Sequence, residues 1–235
     1  MDVVRAVWTD FGGVLTPPVT ETMTAYCTRM ALDPTAVGAA IWKVTQTFGT
    51  TDVMEPLDTP LVSERDWLRL VTDAMFEAEG TRVELTSLGE VWFQEREPNH
   101  EWIAALRRLR ERGVFVGMLS NMPPAWDEHW RRMVPPEGLF DEVLLSFEMG
   151  HRKPAREVFE IAAAEARVPA RQCLFVDDLA KNCEGARAAG WQAIHFTDTA
   201  TAIAELGRLV PAAGAVLVGS PASSDRNHDR EGDQR

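Results

Sequence analysis

Five stretches of the chain are apolar almost without interruption. They are VVRAVWT before Asp10, VFVGMLS ending at Ser120, EVLLSF ending at Phe147, CLFVDD ending at Asp178 and WQAIHF ending at Phe196. A strand with one face in water alternates apolar and polar residues. A continuous run of this length suits a parallel strand buried on both faces. Between the runs the period changes to that of a helix. Trp102, Ala105, Leu106 and Leu109 recur at i, i+3, i+4 and i+7, with Asn99 placed as a cap and Gly113 as the stop. Val158, Ile161 and Ala162 make a second stripe, and AKNCEGARAAG again ends on a glycine, Gly190. Strands alternating with helices in this way predict an α/β fold, a doubly wound parallel sheet.

One long segment breaks the rhythm. Residues 17–97 contain helical stripes and no strand pattern. Asp33-Pro34 reads as a cap followed by a first-turn proline, and Val37, Ala40, Ile41 and Val44 follow at helical spacing. Ser63 caps a stripe through Trp67, Leu70, Val71 and Ala74, and a further helix is predicted over Leu85 to Gln94. So many residues are too many for a loop. The pattern predicts a helical cap domain inserted into an α/β core made of residues 1–16 and 98–218. Residues 219–235, GSPASSDRNHDREGDQR, hold no large apolar side chain and read as a disordered tail.

Composition narrows the class. The chain has 235 residues, 45% of them hydrophobic, enough for one large domain with a real core. A net charge of -12 argues against nucleic acid and against anionic membrane surfaces as partners. No apolar run approaches the roughly 18 residues that span a bilayer. The N-terminus MDVVRAVWTD lacks a signal-peptide layout. Cys27, Cys173 and Cys183 are odd in number and have no C-x-x-C spacing, so neither a disulfide framework nor a zinc site is indicated. The expectation is a cytoplasmic protein with reduced thiols.

In a doubly wound sheet, ligands bind beyond the carboxyl ends of the strands. The first strand delivers Asp10 there, followed at once by Gly12 and Gly13. The second delivers Ser120 and Asn121, the loop after the third carries Lys153, and the fourth ends in Asp177 and Asp178. Each alone has an ordinary reading as a turn-former, a helix cap or a solvated lysine. Together they bring three carboxylates, an ammonium and a hydroxyl to one edge from four strands.

In this order the motifs VWTDFGGVLT, VGMLSN, GHRKP and LFVDDLAKNCEGARAAG resemble those of the haloacid dehalogenase-like hydrolases, and residues 17–97 sit where that family's helical cap sits. The DFGGVL form is most similar to the branch holding glucose-1-phosphate phosphatases and the phosphatase domain of soluble epoxide hydrolases. The resemblance implies that Asp10 attacks phosphorus in line to give an aspartyl-phosphate. It implies Mg2+ as cofactor, held by the Asp10 carboxylate, the Gly12 carbonyl and Asp177 or Asp178. Lys153 would add positive charge on the phosphoryl group, and Ser120 with amides near Asn121 would bind its oxygens at a helix start.

One position departs from the family's pattern. Most of its phosphatases carry a second aspartate two residues after the nucleophile, as general acid and base; here Gly12 stands in that place. Dehalogenases lack it too, but they attack neutral carbon and have no use for a metal, whereas this chain keeps Asp177 and Asp178. Two adjacent carboxylates beyond Asp10 repel one another without a cation. The reading is therefore a Mg2+-dependent phosphatase acting on a small organic phosphate monoester such as a sugar phosphate. A halo-acid dehalogenase and a non-catalytic binding protein of the same fold are the alternatives. Trp42, Trp67 and Trp92 lie in the cap, where tryptophans at helical spacing read first as core. His151 is the one histidine within the motifs, and His100 and His129 lie on helices, so none offers itself as the missing acid. Oligomeric state is not legible.

Overall fold

The computed structural model describes residues 3–80, 83, 85, 87–94 and 96–210. The disordered tail expected over residues 219–235, and the end of the expected core from 211 to 218, lie outside the described residues. Strands β1 (Ala6–Thr9), β2 (Phe115–Ser120), β3 (Glu142–Leu145), β4 (Cys173–Asp177) and β5 (Gln192–His195) form one parallel sheet in the order β3-β2-β1-β4-β5. The register sets Thr9 level with Met118 on one side and Val176 on the other, so Asp10 leaves the sheet between β2 and β4.

The central strands β1, β2 and β4 are buried on both faces, as their continuous apolar runs required, while the edge strands β3 and β5 are mostly half-buried. Val7, Val116, Met118, Leu174 and Val176 pack on one side with helices α6 (His100–Glu111) and α11 (Thr199–Leu209). Ala6, Trp8, Leu119, Cys173 and Phe175 pack on the other with α9 (Arg156–Ala166) and α10 (Ala180–Ala188). Gly117 makes room for this second layer: a Cβ there would lie 2.4 Å from the Trp8 ring. Asn99 caps α6 as its sequence predicts, accepting a hydrogen bond from the Trp102 amide at 3.1 Å.

Between β1 and β2 the chain is helical, with no strand among the described residues. It forms α1 (Val19–Arg29), α2 (Pro34–Thr47), α3 (Glu55–Asp58), α4 (Glu64–Glu79) and α5 (Leu88–Phe93). Asp33 and Ser63 cap α2 and α4 through their side chains. The apolar stripes of α2 and α4 meet in a core shared with Phe11, Val14 and Leu15 of the β1 loop. Trp67 and Trp92 are buried, while Trp42 is 43% exposed. Cys27, Cys173 and Cys183 are buried and free. Among the described residues no helix is long and apolar enough to cross a membrane.

Several elements differ from the sequence expectation: the helix expected over Leu85 to Gln94 spans Leu88–Phe93, and CLFVDD ends as a strand at Asp177. The run EVLLSF leaves the sheet at Leu145, and Ser146–Met149 turn into a short helix, α8. Continuous apolarity does not separate a buried strand from a buried helical turn. WQAIHF ends as a strand at His195, one residue early. The helix start expected near Asn121 is delayed to a 3-10 turn at Pro124–Trp126, followed by α7 (Asp127–Met133). Pro123 and Pro124 account for the delay, because a residue before proline is steered away from helical angles.

Candidate active site

The carboxyl ends of β1, β2 and β4 and the loop after α8 converge on one cavity of about 470 Å³, which Asp10, Gly12, Ser120, Asn121, Lys153 and Asp178 all line. Lys153 is at its centre and only 1% exposed. Its Nζ lies 2.7 Å from Asp10 Oδ1 and 2.7 Å from Asp177 Oδ2. Burial alone would lower its pKa, but Asp10 and Asp177 overcome that and hold it above its usual value. Asp177 is fixed on every side: the Leu179 amide donates to its Oδ1 at 2.8 Å and the Asn182 side-chain amide reaches both oxygens at 3.0 and 3.1 Å.

The glycines after Asp10 have separate reasons. Gly13 has φ 78°, a left-handed angle, and a Cβ on it would sit 2.1 Å from Asp178 Oδ2. It is glycine so that the backbone can turn and lie against that carboxylate. Gly12 is different. A Cβ there meets only Val19 Cγ2, at 3.9 Å, and opens toward the cavity.

Charge at this edge is unbalanced. Oxygens of Asp10, Asp177 and Asp178 lie within 4.8 Å of one another. Three carboxylates face the single ammonium of Lys153, leaving two negative charges over. Burial, then the repulsion of Asp177 and Asp178 against the pull of Lys153, pushes the Asp10 carboxyl up to about 7. Burial and Asp177 push Asp178 up to about 6. A hard divalent cation taking oxygen ligands fits this donor set, since it supplies the missing charge without needing nitrogen or sulfur.

The Ser120 hydroxyl, at the end of β2, has no hydrogen-bond partner among the described residues and borders the cavity. Asn121 also borders the cavity, with its side chain turned to the loop after α8. Its Oδ1 accepts from the Lys153 amide at 2.8 Å and its Nδ2 donates to the Lys153 carbonyl at 3.1 Å. The next amide, of Met122, is taken by the Ser146 hydroxyl at 3.0 Å. Asn121 thus braces the loop that carries Lys153. His151 is exposed, and His129 stacks on Phe93 with ring centroids 5.5 Å apart.

Sequence reasoning missed the groups that tie the inserted helices to this site. Arg152 grips Asp58 of α3 with two bonds of 2.8 and 2.9 Å and reaches Asp52 at 3.1 Å. Lys181 of α10 meets the same Asp52 carboxylate at 2.6 Å. Ser146 donates to the Asp58 carbonyl at 2.6 Å. These partners are 88 to 129 residues apart in sequence, so no local pattern announces them. Burial pushes Asp58 up to about 6 against the pull of Arg152, whereas Lys181 and Arg152 outweigh burial at Asp52 and hold it down at about 2.

Comparison with known proteins follows the same lines. The profile of the haloacid dehalogenase-like hydrolases matches residues 4–190. The sesquiterpene phosphatase astK of Aspergillus oryzae is 34% identical over 113 residues, 48% of this chain and 58% of that protein. The phosphoserine phosphatase of Thermus thermophilus is 32% identical over 135 residues, 54% of this chain and 52% of that one. The chain spans about half the length of the curated relatives it matches. Among solved structures, an enzyme of the family from Bacteroides thetaiotaomicron, bt-2542 in complex with magnesium and inorganic phosphate, superposes with a TM-score of 0.60 at 19% identity, covering 85% of this chain and 98% of its own. The L-2-haloacid dehalogenase RSc1362 superposes with a TM-score of 0.61 at 22% identity, covering 90% and 100%. At such identities the likeness is one of fold.

Proposed function

The chain belongs to the haloacid dehalogenase-like hydrolases, and from that premise we propose that it hydrolyses small organic phosphate monoesters with Mg2+ as cofactor. The observation that carries the reading is the charge imbalance around Asp10. Three carboxylate groups with oxygens within 4.8 Å, facing one ammonium, make a poor surface for a lone anionic substrate and a good one for a cation plus a phosphate. The phosphatases among the relatives point the same way.

In this reading Asp10 is the nucleophile. Its free carboxylate oxygen forms a bond to phosphorus while the phosphorus–oxygen bond to the organic group breaks, giving an aspartyl-phosphate and an alkoxide. The alkoxide takes a proton from solvent and leaves as the alcohol. Water then attacks that phosphorus and gives up a proton to solvent while the bond from phosphorus to the Asp10 oxygen breaks, releasing inorganic phosphate and restoring the carboxylate. Lys153 orients Asp10 and offsets charge on the transferring group, and the Ser120 hydroxyl donates to one of its oxygens. Asp10, the Gly12 carbonyl and Asp178 would hold the metal, with Asp177, already bonded to Lys153 and Asn182, acting beside it. Once bound, the ion supplies the positive charge that lets a carboxylate approach a phosphate dianion. Division of labour between an α/β core and a helical cap over residues 17–97 belongs to the same proposal.

Phosphate release from a panel of monoesters, with and without EDTA, tests it. EDTA should abolish release and Mg2+ restore it, and Asp10→Asn, which preserves shape, should lose more than nine-tenths of turnover while its circular dichroism stays unchanged. Full activity in chelator with halide release from a 2-chloro acid would establish the dehalogenase reading instead.

A further inference from the structure

The cavity over Asp10 has two unlike halves. At the sheet edge are the charged groups just described. Beyond them the wall is hydrocarbon and indole: Met54 from the inserted segment, Trp92 from α5 and Trp126, which stacks on Trp92 with ring centroids 5.2 Å apart. At its rim stand Val19 (41% exposed), Val53 (37%) and Leu179 (45%). Large apolar side chains this exposed are few among the described residues, and three of the seven surround this one opening. Scattered surface hydrophobes need no explanation, but a cluster at the mouth of a cavity marks a place where something apolar is covered.

Most of the charged groups that line the cavity away from Asp10 are spent on one another. Arg152 is held by Asp58 and Asp52, and Lys181 by Asp52. Asn182 serves Asp177 and Asn121 serves Lys153. The Trp126 indole donates to Glu64 at 2.8 Å. Arg96, which also borders the cavity, donates through one Nη to the Pro17 carbonyl at 2.6 Å and lies over the Trp92 and Phe93 rings at 5.7 and 5.8 Å. Its Nε and the Trp92 indole N–H are buried donors left without a hydrogen-bond partner on this wall among the described residues. A sugar brings several hydroxyls that need partners once desolvated. This wall has few to give them, and it loses exposed apolar surface only to an apolar guest.

Resting on the phosphatase reading above, we infer that the organic part of the substrate is a hydrocarbon group, and that the site takes an apolar phosphate monoester in preference to a sugar phosphate. The inserted helices and the rim of Val19, Val53 and Leu179 select the tail, while the sheet edge handles the phosphate.

A series of primary n-alkyl phosphates from ethyl to octyl tests this cleanly, because leaving-group acidity is nearly constant along it and only buried area changes. kcat/KM should rise about fourfold per methylene until the cavity is filled, the factor equivalent to ~0.8 kcal/mol per buried CH2. Hexyl phosphate should exceed glucose 6-phosphate by more than tenfold. Val19→Asp and Val53→Asp, both at exposed positions, should cut the rise per methylene to less than twofold, with folding checked by circular dichroism. Phosphate release without dependence on chain length overturns the hydrocarbon tail and leaves the phosphatase reading standing. A slope untouched by either variant overturns it as well. So does a tenfold preference for an ω-carboxyalkyl phosphate over the alkyl ester of equal length, which would assign the far end to an anion read by Arg96. Release from no ester at all overturns both readings.

Discussion

Gly12→Asp restores the acid that this chain lacks, and its consequences can be worked from the structure. The backbone at Gly12 is not in the left-handed region, and a Cβ there meets nothing nearer than 3.9 Å, so the side chain enters the cavity without forcing the loop. The electrostatic cost is larger. A fourth carboxylate about 5 Å from another repels it by roughly 3 kcal/mol at an effective dielectric near 20. That repulsion, together with desolvation, raises the new carboxyl toward neutrality, where a general acid works best. Apart from Asp10, the raised carboxyls lining the cavity, Asp178 and Asp58, are taken by the proposed metal and by Arg152, so among the described residues no acid is left free there. General acid–base help is worth ~10²–10⁴-fold in rate. The wild type should therefore turn over an aryl phosphate, whose phenoxide leaves unaided, at least a hundredfold faster than an alkyl phosphate of similar bulk. Gly12→Asp should narrow that ratio by tenfold or more, mainly by raising kcat on the alkyl ester.

The assay is kcat and KM for 4-nitrophenyl phosphate and hexyl phosphate at saturating Mg2+. Gly12→Asn is the control, since it has the same size and no transferable proton; it should leave the ratio where it was. Equal wild-type rates on the two esters would refute the reasoning, because a general acid must then already be present in the cavity. An asparagine variant that narrows the ratio as much as the aspartate would refute it too, by showing that position 12 acts through packing.

Gly13→Ala should fail where Gly12→Asp succeeds. The left-handed backbone costs a non-glycine residue roughly 1–3 kcal/mol, and the added Cβ must also displace Asp178 from 2.1 Å; a lowered Tm with a weakened Mg2+ requirement curve is expected, and wild-type Mg2+ dependence would show that Asp178 is not held as described. Arg152→Met leaves the 1%-exposed Asp58 side chain without its bidentate partner and should cost about 3 kcal/mol in urea unfolding at pH 8. The sign with pH follows from Asp58, whose carboxyl is already raised to about 6 by burial. Without the arginine it rises further, so the variant's deficit should shrink toward pH 5 as a proton replaces the lost ion pair; a deficit that grows on acidification contradicts this. Asp52 works in the opposite sense. Held at about 2, it contributes stability that is present above about pH 4 and lost as pH falls through 2, and Lys181→Met should flatten that loss in acid titrations of unfolding.

The sequence revealed the sheet and the chemistry at its edge for a common reason. Strands buried on both faces are written as unbroken apolar runs, so the first charged residue after each run marks the place where the strand leaves the core. Asp10, Asp177 and Asp178 stand out against their flanks in this way, whereas Lys153 follows Glu148 and Arg152 in its loop and is marked only by its company. Boundaries were harder. Ser146 and Phe147 extend an apolar run but begin a helix, because the Ser146 hydroxyl is needed between the Met122 amide and the Asp58 carbonyl. Asn121 precedes Met122 and two prolines, which steer the chain away from helical angles and delay the turn to Pro124.

The contact of Arg152 with Asp58, 94 positions away, is not visible in the sequence. A pairing over that distance leaves no period and no spacing, only two charged residues in separate segments. Yet it bears directly on Lys153, its immediate neighbour in the chain, whose backbone Asn121 clamps from the other side. Any displacement of α3 must either break the two short Arg152–Asp58 bonds or pull on the loop that carries the counter-ion of Asp10. Arg152 thus couples the inserted helices to the charge balance at Asp10, beside the ties made by Ser146 and Lys181. The coupling arises from burial: Asp58, 1% exposed, tolerates its charge only while Arg152 is there to meet it.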